Sequence, residues 1–163
     1  MLHTADICDA QPDLTSICEL NLVSFGGSVK FSGRIRTVRV FEDNTLVRQA
    51  IDKAESGTVL VVDGGASHRC ALIGGNLARL AATRKIAGIV LNACIRDVDE
   101  VAEVPIGVMA IGSCPGKSRK EGQGKMGEVL QFGGVLWTPG HWLYADRDGV
   151  VMIPEAIRDE NNE

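Results

Sequence analysis

Two short segments carry residue types suited to chemistry: the glycine turn Gly74-Gly75-Asn76-Leu77 and the adjacent opposite charges Arg96-Asp97. The first amides of a helix have no partner within it and sit at the positive end of its dipole, and glycines there let an anion approach the backbone. Gly74, Gly75, Asn76 and Leu77 are therefore candidates for holding a carboxylate or phosphate, with a plain tight turn as the alternative. Arg96 offers a planar fork to a carboxylate or an enolate oxygen, and Asp97 offers a hard oxygen ligand to a divalent cation. Asp99 and Glu100 add carboxylates able to reach the waters around such a cation. The competing reading of this segment is a helix start, with Asp97 as its cap and Glu100 completing a capping box. Twenty residues lie between Gly75 and Arg96, enough for one helix and one strand to return to the same sheet edge. A 2-oxo acid could then rest its carboxylate on the amides and chelate the cation through its oxo group.

The elements needed to position these groups can be read from the pattern. Thr58-Val59-Leu60-Val61-Val62 is an uninterrupted run typical of a strand buried on both faces, and it ends in Asp63-Gly64-Gly65. A helical stretch is expected next, then the second glycine turn and a helix through Leu77-Ala78-Arg79-Leu80-Ala81-Ala82. Ile86 to Leu91 is a second buried strand, and the order strand, helix, strand predicts a right-handed parallel crossover. Ligands of such sheets bind at the carboxyl ends of the strands, where both candidate segments fall. Upstream, Thr4 to Ala10 reads as a short helix ended near Pro12. Phe31 to Val40 alternates, but Ile35, Val38 and Val40 do not share one parity, which predicts a bulge or two strands. Asp43-Asn44-Thr45 caps a helix carrying Leu46, Val47, Ala50, Ile51 and Ala54, and Gly57 ends it. Val108 to Ile111 is a further strand, followed by a polar loop over 116–127. Short strands then run over Val129 to Phe132, Val135 to Trp137, Trp142 to Ala145 and Val150 to Ile153.

Composition narrows the classes. A chain of 163 residues, 45% hydrophobic and 23% charged, reads as one globular domain over 1–163 with a core of its own. The net charge of -4 argues against direct nucleic-acid binding, which needs a basic surface. Lys30, Arg34, Arg36 and Arg39 are read as a solvated sheet face. Five cysteines without a CxxC pair point away from zinc and from a secreted disulfide framework, and towards buried thiols in the cytoplasm. No apolar run is long enough to cross a membrane. His3, His68 and His141 show no metal spacing, Cys94 reads as a packed thiol, and Lys117-Ser118-Arg119-Lys120 as a solvated loop able to contact a partner protein or a lid.

Several segments together resemble a known family. Val61-Val62-Asp63-Gly64-Gly65, Arg69-Cys70-Ala71-Leu72-Ile73-Gly74-Gly75-Asn76-Leu77, Gly88-Ile89-Val90 and Ile95-Arg96-Asp97-Val98-Asp99-Glu100 are similar to the family holding regulators of ribonuclease activity A and 4-hydroxy-4-methyl-2-oxoglutarate aldolases. Phe41-Glu42-Asp43-Asn44, Phe132-Gly133-Gly134 and Trp142-Leu143-Tyr144-Ala145-Asp146 extend the likeness over nearly the whole chain. The resemblance implies an α/β fold, an α/β/α layered sandwich with a mixed central sheet like the swivelling phosphohistidine domain. It also implies homotrimers, able to pair into hexamers, with the active site between subunits.

For function, the resemblance implies a class II aldolase dependent on Mg2+ or Mn2+. Such an enzyme cleaves 4-hydroxy-4-methyl-2-oxoglutarate to pyruvate and decarboxylates oxaloacetate through the same pyruvate enolate. Gly74, Gly75, Asn76 and Leu77 match the loop that holds the substrate carboxylate, Arg96 the substrate-contacting arginine, and Asp97 the direct metal ligand. Glu100 would act through a water. Aldolase members often carry an acidic residue where Gly75 stands, a departure that Glu100 or Asp99 could offset. The alternative within the family is a non-catalytic regulator that binds a ribonuclease. Such regulators can lack the metal-binding aspartate, which this chain has as Asp97.

Overall fold

In the computed structural model, which describes residues 1–158, the apolar runs of the sequence become the parallel centre of one mixed sheet. In chain order the elements are α1 (Thr4–Ala10), β1 (Ser16–Ile17), β2 (Val23–Ser24), β3 (Phe31–Arg39), α2 (Thr45–Lys53), β4 (Val59–Asp63), β5 (Ala71–Ile73) and α3 (Gly75–Thr83). They continue as β6 (Gly88–Ile95), α4 (Val98–Ala102), β7 (Gly107–Ser113), β8 (Lys125–Met126), β9 (Leu130–Phe132), β10 (Val135–Trp137), β11 (Trp142–Asp146) and β12 (Gly149–Ile153). The expected single unit runs to residue 163, so its last five positions lie outside the described residues.

The strand order is β1-β12-β11-β3-β4-β6-β7-β2, with β5 added to β6 and β8 to β3. β3, β4, β6 and β7 run parallel, and β5 pairs parallel with β6 across α3, as the strand–helix–strand pattern requires. β11, β12, β1 and β2 are antiparallel additions. Leu60, Val62, Ile89 and Leu91 face α2 and α3 in one core, while Val59, Val61 and Val90 face a second core built on Trp137, Leu143 and Met152. Burial on both faces is why these strands read as unbroken apolar runs. The second layer differs from the helical one expected. The β9–β10 hairpin covers that face, and α1 packs on β11 and β12 through Ile7, Tyr144, Val151 and Ile153.

Three expectations are corrected. β3 is one strand over Phe31–Arg39, with Ile35 in one core and Val38 in the other. Its mixed parity records two buried faces, not a bulge. The stretch expected to be helical after Gly65 instead ends in β5, because Ala71, Leu72 and Ile73 are buried and extend the sheet beside Cys94 and Ile95. β6 runs on past Leu91 to Ile95, held by β5 on one side and β7 on the other. The two-residue strands β1, β2 and β8 were not foreseen. Of the basic residues on β3, all three arginines are exposed, and Arg36 and Arg39 pair with Glu55 at 3.9 Å and Glu128 at 2.6 Å, as a solvated face should. No helix among the described residues is long and apolar enough to span a membrane.

Candidate active site

α3 begins directly where β5 ends, and α4 begins where β6 ends, so the parallel pairing of β5 with β6 brings the two helix starts together. The Arg96 amide donates to the Ile73 carbonyl at 2.8 Å, which locks the two strand ends in register. Asp97 occupies the N-cap position of α4 in the left-handed conformation (φ 55°, ψ 46°), yet makes no side-chain cap bond to that helix. Its Oδ2 instead accepts the Gly75 amide at 2.9 Å. Glu100 does not complete a capping box either. Its Oε2 lies 3.1 Å from Arg79 Nη1, and Arg79 Nη2 donates to Asn76 Oδ1 at 2.8 Å. The carboxylates are thus turned towards the neighbouring helix start.

Both glycines lie hard against a carboxylate. A Cβ on Gly74 would stand 2.6 Å from Asp97 Oδ2, and one on Gly75 would overlap the Glu100 carboxylate. Glu100 therefore fills the space that a side chain at position 75 would take. The first intrahelical bond of this turn runs from the Ala78 amide to the Gly74 carbonyl at 3.0 Å, which leaves the Asn76 and Leu77 amides ahead of it without an intrahelical acceptor. Arg96 is held by one bond, from Nη1 to the Pro115 carbonyl at 3.4 Å.

Gly74, Asn76, Leu77, Arg96 and Asp97 border a cleft of about 570 Å³ that residues of α2 and Lys117, Ser118 and Lys120 also line. Arg48 of α2, with Lys117 and Lys120, lines it as well. The sequence had suggested only a solvated loop for the two lysines and nothing for Arg48. The loop reaches the cleft because Asp43, 1% exposed, accepts the amides of Thr45 (3.0 Å), Glu121 (2.8 Å) and Gln123 (3.4 Å). Burial disfavours the charged form of Asp43, but these amides outweigh it and hold the carboxyl below the ordinary aspartate range. Gly75, Asp99, Glu100 and His141 do not border the cleft; Glu100 borders a neighbouring groove with Arg79.

Cys94 is fully buried with Sγ 3.4 Å from His68 Nδ1, and burial pushes its thiol up, so it is a packed thiol. All five cysteines are free; Cys70 and Cys94 are buried, and the other three are half-buried. Among the described residues no group of three His, Cys, Asp or Glu side chains forms a ready-made metal cage. Asp52 and Asp97 are the carboxylates that border the cleft.

A model of the Aldolase/RraA type matches residues 4–152. The chain belongs to the RraA-like family. A Bacillus cereus relative, named as a candidate 4-hydroxy-4-methyl-2-oxoglutarate aldolase, is 45% identical over 157 residues, covering 96% of this chain and 99% of that one. A relative of the same name from Aromatoleum aromaticum is 49% identical, covering 95% and 98%. Among RraA-like structures, the RNA-processing inhibitor RraA of Thermus thermophilis superposes with TM-score 0.94 at 44% identity, over 99% of this chain and 98% of that one. A Geobacillus kaustophilus protein described as an S-adenosylmethionine:2-dimethylmenaquinone methyltransferase gives TM-score 0.95 at 53% identity, over 96% and 97%.

Proposed function

We propose that this RraA-like chain is a divalent-cation-dependent lyase that cleaves 4-hydroxy-4-methyl-2-oxoglutarate to pyruvate and decarboxylates oxaloacetate. The observation that carries the reading is the meeting of Asp97 with the Gly75 amide at 2.9 Å, beside Arg96 and the α3 start, in one open cleft. Relatives at 45–49% identity named as candidate aldolases support the same reaction class.

The residues fit a magnesium-like cation. Such an ion is commonly held by one or two carboxylates with water and substrate oxygens completing the shell, so the lack of a protein cage is no obstacle. Asp97 Oδ2 is engaged by Gly75, leaving Oδ1 for the cation. When bound, Mg2+ or Mn2+ supplies an electron sink for the charge that builds on the 2-oxo oxygen as the C3–C4 bond breaks. The Asn76 and Leu77 amides take the substrate carboxylate, and the Arg96 guanidinium steadies the developing enolate. Glu100, whose carboxylate lies beside Gly75 at the rim outside the cleft lining, accepts the 4-hydroxyl proton through an intervening water and returns it to C3. Arg79 keeps that carboxylate in place. The working form is a homotrimer, and the fold relation to the swivelling phosphohistidine domain belongs to the same reading; light scattering and superposition test these two points.

The direct test is pyruvate release from both substrates with Mg2+ and with a chelator. Metal-dependent turnover that vanishes in Asp97→Ala is expected; equal rates in parent and variant would remove the proposal. A second reading, a regulator that binds a ribonuclease through its surface, is favoured by the likeness to the Thermus inhibitor. It predicts capture of a ribonuclease that survives Asp97→Ala.

A further inference from the structure

Asn76 and Arg79 are three residues apart on α3, so their side chains are neighbours on one face of it. The Arg79 guanidinium uses both of its ends. Nη2 donates to Asn76 Oδ1 at 2.8 Å, and Nη1 donates to Glu100 Oε2 at 3.1 Å. Asn76 lines the cleft and Glu100 the neighbouring groove. This one fork therefore ties the helix start that takes the substrate carboxylate to the acid on α4. Position 75 makes room for it. A Cβ there would overlap Glu100 Oε2 and stand 3.1 and 3.3 Å from Arg79 Nη1 and Nη2.

The pairing is not a folding device. Arg79 and Glu100 are 52% and 59% exposed, and an exposed pair adds little stability. Electrostatics give it another task. Asp97, Asp99 and Glu103 flank Glu100 along the same short stretch of chain. Among the described residues Arg79 is the one cation within 4.0 Å of the Glu100 carboxylate. Without Arg79, that carboxylate is repelled by its acidic neighbours and by an anionic substrate, and it swings towards solvent.

We infer that Arg79 is a positioning residue that selects between the two reactions of this site. The inference rests on the lyase reading and goes beyond it, because the two reactions ask different things of Glu100. In retro-aldol cleavage a base must take the C4 hydroxyl proton. The C4–O bond becomes a carbonyl, the C3–C4 electron pair passes into the enolate, and the proton returns to C3, giving two pyruvates. In oxaloacetate the C4 carboxylate is already ionised. Its C3–C4 pair passes into the enolate, CO2 leaves, and C3 takes a proton from solvent. The second route needs no base, so displacement of Glu100 slows the first route far more.

Both substrates are assayed with Mg2+, and the readout is the ratio of the two kcat values, cleavage over decarboxylation. Arg79→Met should lower this ratio by about tenfold or more, since a misplacement near 1 Å is enough for losses of that order. Arg79→Lys keeps the charge without the planar fork and should recover only part of it. Gly75→Ala pushes the same carboxylate aside with every charge retained, and should lower the ratio too. In a Glu100→Gln background Arg79→Met should have no further effect on the ratio. Arg36→Met, which breaks another exposed ion pair, should leave the ratio at the parent value. Damage to the helix start alone would instead slow both reactions together and raise both KM values. An unchanged ratio in Arg79→Met, or an equal further loss in the Glu100→Gln background, overturns the inference while metal-dependent decarboxylation keeps the lyase reading. A parent that turns over neither substrate removes both.

Discussion

Asp97 points where it does because its backbone is left-handed, a conformation that Asp tolerates better than most side-chain-bearing residues. Asp97→Asn should keep this geometry and the bond to the Gly75 amide while losing the charge. It is expected to abolish turnover with a stability change within about 1 kcal/mol, read by a denaturant melt beside a pyruvate assay. Arg96→Ala should cost roughly 1.5–3 kcal/mol in kcat/KM, the worth of one charge-assisted contact. Glu100 makes a sharper comparison. Its pair with Arg79 is more than half exposed on both sides, so Glu100→Gln should change stability by less than about 1 kcal/mol. If Glu100 moves the hydroxyl proton, turnover in that variant should still fall by about a hundredfold; undiminished turnover would remove it from the reaction. The juxtaposition of Arg96, Asp97 and Gly75 was legible because all three sit at strand and helix ends whose spacing fits one crossover. Arg48 and Lys120 were not, since a polar loop and an exposed helix face look alike in sequence wherever they fold.

The helix and loop that share the cleft with Arg96 and Asp97 depend on Asp43 at the scale of elements. Asp43→Ala would leave three amides to find new acceptors, at a cost of roughly 2–4 kcal/mol, and hydrogen exchange at Glu121 and Gln123 should quicken well before global unfolding. Exchange unchanged at these two amides would show that the loop is held by its other bonds. α2 and α3 fall where helical apolar spacing put them, β4 and β7 where short apolar runs did, and α1 where a cap and Pro12 bounded it. The remainder depends on tertiary pairing. Asn92 and Ala93 are weak strand formers, and they lie in β6 because Asn92 pairs with Asp63 of β4 and Cys94 beyond them pairs with β5 and β7. β3 misled by its parity because alternation reports one buried face, and this strand has two.

At the scale of the molecule, acid is the informative perturbation. Asp146, 7% exposed, accepts the Thr4 amide and hydroxyl, each at 2.8 Å, and the Asp148 amide at 2.9 Å. Burial opposes its ionisation, yet these donors win, so Asp146 and Asp43 both titrate below their unfolded values. Each then contributes stability that is complete above the unfolded pKa and is lost as pH falls through the folded one. Unfolding free energy should be level above about pH 5 and decline below about pH 4, with a shallower decline in Asp146→Asn, followed by denaturant titration at each pH. The central packing gives a second handle. The Phe31 ring lies across Gly88 and Gly107 where a Cβ on either would overlap it, so Gly107→Ala should cost about 1–3 kcal/mol by overpacking. The N-terminal segment has one more role. β1 lies on β12 at one margin of the sheet and β2 on β7 at the other, so a single stretch of chain closes both. Deleting it would bare two rows of unpaired amides and carbonyls at once, and molecules so trimmed should join side by side into filaments rather than simply unfold.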